Sequence, residues 1–348
     1  MAFSATEYPM KTAGERMVKY PRTDWIIPPE LRIPDFIMCG AMKAGTSTVH
    51  YILNQHPSVH MPDPEIHFFD LDNVIQHPDF NQYSDGRWRA PWLDLKPEKL
   101  WHWYSAHFDA AKDGQVVGED STTYIASEVA AQRISAQHKN IKLLVLLRNP
   151  TARAYSHYWH LVRSGRAIYS FEDTIRYEPY SILGRSLYLG QLEAVFRHVP
   201  RDAVKVVLLE EFLANKQDVV HAICDYIGVD FARLPQNAIK AHKNEARIPR
   251  MLAVELLRNR LARSSGNRRY RSHLPGTQRN QRYVSTSSPS VLDALYRKLN
   301  PLVSKPPPKM NFATQRFLDN FFQREAHGLS ELLATDVGSI WFDSAANT

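Results

Sequence analysis

The sequence predicts an α/β protein, a three-layer sandwich with a central parallel sheet and a helical C-terminal region. Three observations carry this. Lys142–Leu147 (KLLVLL) is continuously apolar after its lysine, as in a strand buried on both faces. Val204–Leu209 repeats the pattern. Between these runs lie segments with apolar residues at helical spacing, and strands that alternate with helices form a parallel sheet covered on both sides.

Taken in order, residues 1–30 read as a polar arm ending in Pro28-Pro29. The first strand is Phe36–Cys39, and its helix runs to about Asn54, where His56-Pro57 stops it. Val59–Pro62 is a short strand. Residues 72–100, rich in Pro, Trp and Asp, form a long excursion. Val116–Ser121 is a strand meeting a turn, and Ile125–Gln137 is a helix. After Leu147 the chain turns at Arg148-Asn149-Pro150 into a helix over Thr151–Ser164. Leu187–Val199 is helical. The strand Val204–Leu209 ends at Glu210-Glu211, and Val219–Gly228 is a helix closed by glycine. Past residue 231 the strand signal fades. Residues 232–250 and 264–290 read as loop, 251–263 as helix, Lys305–Pro308 as an extended linker and Phe317–Leu333 as helix, with Trp341 packed on the body. The expected organisation is one domain over 31–348, with a nucleotide-binding core (31–230) and a C-terminal region (231–348).

Bulk properties bound the function. The 348 residues carry a net charge of +7. No stretch approaches the ~18 apolar residues of a membrane span. Cys39 and Cys224 make no disulfide framework, so the expected location is a reducing cytoplasm. From Arg247 to Arg282 there are ten arginines and one acidic residue, Glu255. Such a stretch suits an anionic partner: nucleic acid, acidic glycan or acidic membrane. A zinc-finger or RNP-type motif is absent, which argues against nucleic acid.

The chemistry begins at Phe36-Ile37-Met38-Cys39-Gly40-Ala41-Met42-Lys43-Ala44-Gly45-Thr46-Ser47-Thr48. A strand, a tight turn and a helix start point backbone N–H groups at one spot, where the helix dipole favours an anion. A triphosphate P-loop places lysine after the second glycine. Here Lys43 precedes Gly45, so a Mg²⁺–triphosphate site is a poor match. A second anion grip is expected from Arg148 at the next strand end with Ser156 on the following helix; Arg153 is expected to share a face with Ser156. That strand ends in Arg, where a Mg²⁺-binding strand would end in Asp.

With these two motifs the chain resembles the sulfotransferases that use 3′-phosphoadenosine-5′-phosphosulfate (PAPS). Their 5′ loop is similar to Gly40–Ser47 and their 3′ motif to Arg148–Tyr158. Within them, the chain resembles the heparan-type carbohydrate enzymes and their bacterial relatives through His56–Val59, Pro64–Asp70, Gly118–Tyr124 and Leu318–Trp341. The resemblance implies a P-loop-like sulfotransferase fold, PAPS as donor, the bisphosphate PAP as product, and no metal. It implies a donor site of Lys43, Ala44, Gly45, Thr46, Ser47, Thr48, Arg148 and Ser156. Lys43, Glu65 and His67 are the expected catalytic residues: Lys43 stabilises the departing phosphate, Glu65 is the general base, and His67 contacts the acceptor or orients Glu65. Glu65, His67, Asp70 and Asp120 are the expected acceptor side; Glu65 and His67, two apart in an extended segment, face the same way, and Asp70 is expected around them. Two lysines usual in that branch, associated there with the acceptor, are Pro64 and Asp120 here. His50, His56 and His60 offer no metal-like cluster. Tyr188 and Gln191 either contact the adenine or pack in the core. The expected acceptor is a carbohydrate hydroxyl or amine; a lipid, a polyketide or a small metabolite is the alternative. The rival readings are a kinase and a non-catalytic glycan- or nucleotide-binding protein.

Overall fold

The computed structural model describes residues 25–63, 65–84, 86–90, 96–240, 247–261 and 291–342. Pro64, most of the 1–30 arm, the 264–290 segment and the latter part of the arginine-rich stretch lie outside them. The strands in chain order are β1 (Phe36–Gly40), β2 (Val59–His60), the hairpin β3 (Gln82–Ser84) and β4 (Arg87–Arg89), β5 (Val116–Asp120), β6 (Lys142–Leu147), β7 (Val204–Leu208), and the hairpin pair β8 (Arg247–Pro249) and β9 (Leu302–Ser304).

Five of them form one sheet in the order β2-β5-β1-β6-β7, every neighbouring pair parallel. Each of the five strands expected from apolar runs is present. β1 lies at the centre and all five of its residues are buried. Helices cover the sheet on both faces, and Phe36, Ile52, Leu144, Leu146 and Leu192 in the resulting core are fully buried. Each such side chain contributes roughly 1.5–3 kcal/mol by leaving water. Gly118 opposite Phe36 allows close packing: a Cβ there would sit 2.3 Å from the Phe36 ring. All five strands run the same way, so Gly40, Asp120, Leu147 and Leu208 reach one common edge.

A second, smaller core joins the C-terminal region to this frame. Ala154, Tyr158 and Val162 on the helix Pro150–Arg163 pack with Ile248, Leu318 and Phe322. The closing helix Val337–Phe342 is latched at the sheet edge. Trp341 donates its indole N–H to Glu210 (3.0 Å), and its carbonyl accepts from the Asn149 side chain (2.8 Å). Glu210 also accepts from the Asn149 N–H (2.9 Å). The expected packing of Trp341 on the body is thus met.

Three differences have physical reasons. The strand β7 ends at Leu208, and the helix Leu209–Ala214 begins where a strand end was expected; Glu210 and Glu211 in its first turn favour the positive helix terminus. β8 and β9 pair antiparallel where no strand was expected, because three-residue strands beside prolines carry no period. The excursion 72–100 holds the β3–β4 hairpin and the start of the helix Pro97–Ala106. Among the described residues no helix is long and apolar enough to cross a membrane.

Candidate active site

The turn after β1 places its backbone by two left-handed residues. Lys43 has φ 71° and Gly45 has φ 94°. Gly45 starts the helix Thr46–Asn54 with no side-chain cap, and a Cβ on it would lie 2.7 Å from Leu209. Glycine alone fits both demands. The uncapped helix start is a site for an anion. Lys43 stands beside it. Burial and the nearby Arg163 guanidinium push its ammonium down to about 8, against the opposing pull of Glu65.

Arg148, delivered by β6, donates to the Lys43 carbonyl (3.2 Å) and so ties the two strand ends together. Burial depresses its guanidinium. Ser156 lies two turns into the helix Pro150–Arg163 and faces the same cavity as Lys43 and Arg148. Arg153 does not. It is fully buried and donates to Ser186 Oγ (2.5 Å) and to the Ile182 carbonyl, away from the cavity. The expected shared grip of Arg153 and Ser156 is therefore corrected. Three residues along a helix are about 60° apart on its circumference, and that offset puts them on opposite sides of the boundary between core and cavity. Asn149 caps the helix by accepting from the Ala152 N–H (2.9 Å).

Across the cavity lies the segment 65–70, which has no regular structure. Side chains from the end of β5 hold it. Buried Glu119 accepts from Tyr104, from Ser121 (2.6 Å) and from Tyr124 (2.8 Å); burial pushes its carboxyl up to about 7. Ser121 Oγ in turn accepts the N–H groups of Ile66 (3.2 Å) and His67 (2.9 Å), and Tyr124 that of Phe69 (3.0 Å). Glu65 Oε2 accepts from the Thr122 hydroxyl (2.9 Å) and N–H (3.3 Å) and lies 3.3 Å from His67 Nε2. Burial at the cavity wall pushes Glu65 up to about 7; Asp120 adds to this, while Thr122 and Lys43 oppose it.

Asp70 and Asp120 are corrected as acceptor-facing residues. Asp70 is fully buried, bonds His77 at 2.8 Å, and does not line the cavity. Asp70 lies an odd number of positions from Glu65, which extended backbone sets on the opposite face, and the left-handed backbone at His67 (φ 56°) turns the chain between them. Asp120 is 6 % exposed and faces His50 (3.5 Å), which also approaches Asp63 (3.3 Å). Ala44 is buried behind the turn, outside the cavity lining. Tyr188 and Gln191 bond the Arg148 and Gly184 carbonyls and do not line the cavity either, which favours their packing role. Among the described residues one group has a metal-like arrangement: the donor atoms of His67, Asp70 and His77 lie within 4.8 Å of one another, all buried. No motif or spacing had pointed to His77.

The cavity measures about 830 Å³. Met42, Lys43, Gly45, Thr46, Ser47, Thr48, Arg148 and Ser156 line it on one side, Glu65, His67 and Thr122 on another. Leu209, Phe212 and Leu213 supply an apolar patch, Tyr155 and Trp159 an aromatic one. Arg163, Arg247 and Lys309 also line it, and none of these three has an ion pair among the described residues. The arrangement can hold two anionic groups near Lys43 and Arg148 and take a proton at Glu65.

Residues 34–233 match the model of the sulfotransferase family. The chain is 29% identical over 206 residues to the mouse heparan sulfate glucosamine 3-O-sulfotransferase 3A1, covering 57% of this chain and 46% of that protein. It is 25% identical over 213 residues to the human bifunctional heparan sulfate N-deacetylase/N-sulfotransferase 2, covering 57% of this chain and 22% of that one. The chain thus spans about half or less of the length of these curated relatives. Among solved structures, a sulfotransferase from Alicyclobacillus acidocaldarius superposes with a TM-score of 0.55 at 24% identity, covering 89% of this chain and 99% of that one.

Proposed function

The chain belongs to the sulfotransferase family, and on that premise we propose that it moves a sulfuryl group from PAPS to a hydroxyl or amine of a carbohydrate acceptor. One observation carries the reading: an uncapped helix start with Lys43, a second anion grip of Arg148 and Ser156, and the carboxyl of Glu65 all line one cavity. Two anion grips suit a nucleotide with phosphate at both the 3′ and 5′ positions, and a cavity of about 830 Å³ has room for one.

PAPS supplies an activated sulfuryl group on a good leaving group. The residues do the rest. The Thr46–Thr48 helix start and Lys43 hold the 5′ end and stabilise the negative charge that grows on the departing phosphate oxygen. Arg148 and Ser156 hold the 3′-phosphate. Glu65 takes the proton of the acceptor hydroxyl or amine as the new S–O or S–N bond forms and the bond from sulfur to the phosphate oxygen breaks. The products are the sulfated acceptor and PAP. His67 orients Glu65 from 3.3 Å. Arg163, Arg247 and Lys309 favour an acceptor that is itself acidic, in line with the heparan sulfate named for the relatives.

The test is thermal shift with PAP against ATP–Mg²⁺, followed by mass spectrometry of glycan products after incubation with isotopically labelled PAPS. Stabilisation by PAP and a labelled sulfated glycan are expected. Stabilisation by ATP–Mg²⁺ alone would point to a kinase and overturn the reading.

A further inference from the structure

Behind Glu65 runs a buried chain of polar groups that the transfer as described does not use. It starts at Asp70, whose Oδ1 lies 2.8 Å from His77 Nε2; both side chains are fully buried. Thr123 Oγ1 lies 3.4 Å from the same His77 nitrogen and 3.0 Å from His67 Nδ1. His67 Nε2 then faces Glu65 Oε2 at 3.3 Å.

The direction of each bond follows from what each group can give. A carboxylate only accepts, so the proton of the Asp70–His77 bond sits on His77 Nε2. Thr123 therefore meets an N–H on that side and can only accept there. Its own hydroxyl proton is left for His67 Nδ1. An imidazole that accepts at Nδ1 carries its proton on Nε2. That nitrogen lies 3.3 Å from Glu65 Oε2. The opposite tautomer would set a nitrogen lone pair against the carboxylate oxygen. Oε2 accepts twice from Thr122, with the His67 ring beside it. Glu65 Oε1 has no hydrogen bond among the described residues.

We propose that Asp70, His77 and Thr123 are positioning residues that fix His67 as its Nε2–H tautomer, so that Oε2 of Glu65 is held and Oε1 alone takes the acceptor's proton. This rests on Glu65 being the base of the proposed transfer. The balance is simple: the acceptor proton passes to Oε1, no proton crosses His67, and His67 remains a neutral donor throughout.

Histidine-selective ¹⁵N spectra of the full chain, free and saturated with PAP, read the tautomer directly. The His67 signal, assigned with His67→Gln, is expected in the Nε2–H form. Thr123→Val removes the hydroxyl at nearly constant volume. It should loosen the lock on His67, seen as a mixed-tautomer signal where the wild type shows one form, and lower kcat about 10- to 100-fold, the usual scale for groups that orient a functional ligand, with PAP affinity unchanged. Thr123→Ser should restore both the spectrum and kcat. Because Asp70 and His77 sit in the core, the Thr123 pair carries the test without threatening the fold. A wild-type His67 in the Nδ1–H form overturns the proposal, as does a Thr123→Val protein with unchanged tautomer and kcat. If wild-type protein neither binds PAP nor transfers sulfate, the functional reading falls, while the His67 spectrum still decides the tautomer.

Discussion

The two sides of the cavity are built by different means. The donor side is made of main chain. The ends of β1 and β6 and the starts of two helices set its position, and Lys43, Arg148 and Ser156 are mounted on that frame. The proposed acceptor side is the segment 65–70, held in place by hydrogen bonds with Ser121, Thr122, Thr123 and Tyr124, while Glu119 anchors Ser121 and Tyr124. A frame of strands and helix starts tolerates loss of a side chain and keeps its shape. A segment hung on side-chain bonds passes each loss to its neighbours. Substitutions on the donor side should therefore separate cleanly into charge and binding effects, while those on the acceptor side should couple.

The largest effects belong to the two groups at the reacting centre. Glu65→Gln keeps the shape and removes the base, and kcat should fall by about 10²–10⁴. Lys43→Ala should cost about 10²–10³ in kcat, the range for losing one transition-state donor. Both proteins should keep the wild-type melting temperature and PAP affinity within a few-fold for Glu65→Gln. A Glu65→Gln enzyme with wild-type kcat would remove Glu65 from the chemistry. The next effect is on binding. Arg148→Ala should weaken PAP by about 1.5–3 kcal/mol, the worth of a hydrogen bond to a charged group, or roughly 10- to 100-fold by calorimetry. Unchanged PAP affinity would refute the 3′-phosphate assignment.

The pH profile compares the two sides in one experiment. Glu65 acts when deprotonated, and its carboxyl is pushed up to about 7. Activity should fall as pH drops through about 7, approaching tenfold per pH unit in the acid limb. Lys43 acts when protonated, and burial with Arg163 pushes it down to about 8. In kcat/KM, which reports the free enzyme, activity should also fall above about 8, giving a narrow bell. In kcat the bound donor phosphates favour the ammonium, so the alkaline limb should move upward while the acid limb holds. An alkaline limb at the same pH in both profiles would separate Lys43 from the donor phosphate.

The same division explains what could be read from the sequence. The strands β1, β6 and β7 are mostly apolar runs, and the donor residues sit a fixed few positions from strand ends, so local spacing located Lys43, Gly45, Arg148 and Ser156. On the acceptor side Glu65 and His67 were found. Asp70 is an odd number of positions from both, so alternation never tied it to them, and beyond the left-handed His67 it lies in the core. Thr122 and Thr123 lie more than forty residues from the partners they bond, and no periodicity links such positions. His77 lies in an excursion whose composition carries no structural period.

Arg153 offers the finest test, because it lies in the donor motif yet belongs to the core. It holds the Ile182 carbonyl and Ser186 from the buried face of the helix Pro150–Arg163, without an ion pair among the described residues, and burial pushes its guanidinium down to about 10. Arg153→Met fills much of the same volume and leaves those two acceptors without a donor. The expected cost is about 1–3 kcal/mol of stability, seen as a melting temperature lower by several degrees. PAP affinity should change by less than about threefold, since the side chain contacts no group in the cavity and only its screened charge reaches the donor site. That outcome would separate an arginine that supports the helix from Arg148, which grips the ligand. A loss of PAP affinity as large as that of Arg148→Ala, at unchanged stability, would return Arg153 to the phosphate site and erase the boundary drawn here between core and cavity on that helix.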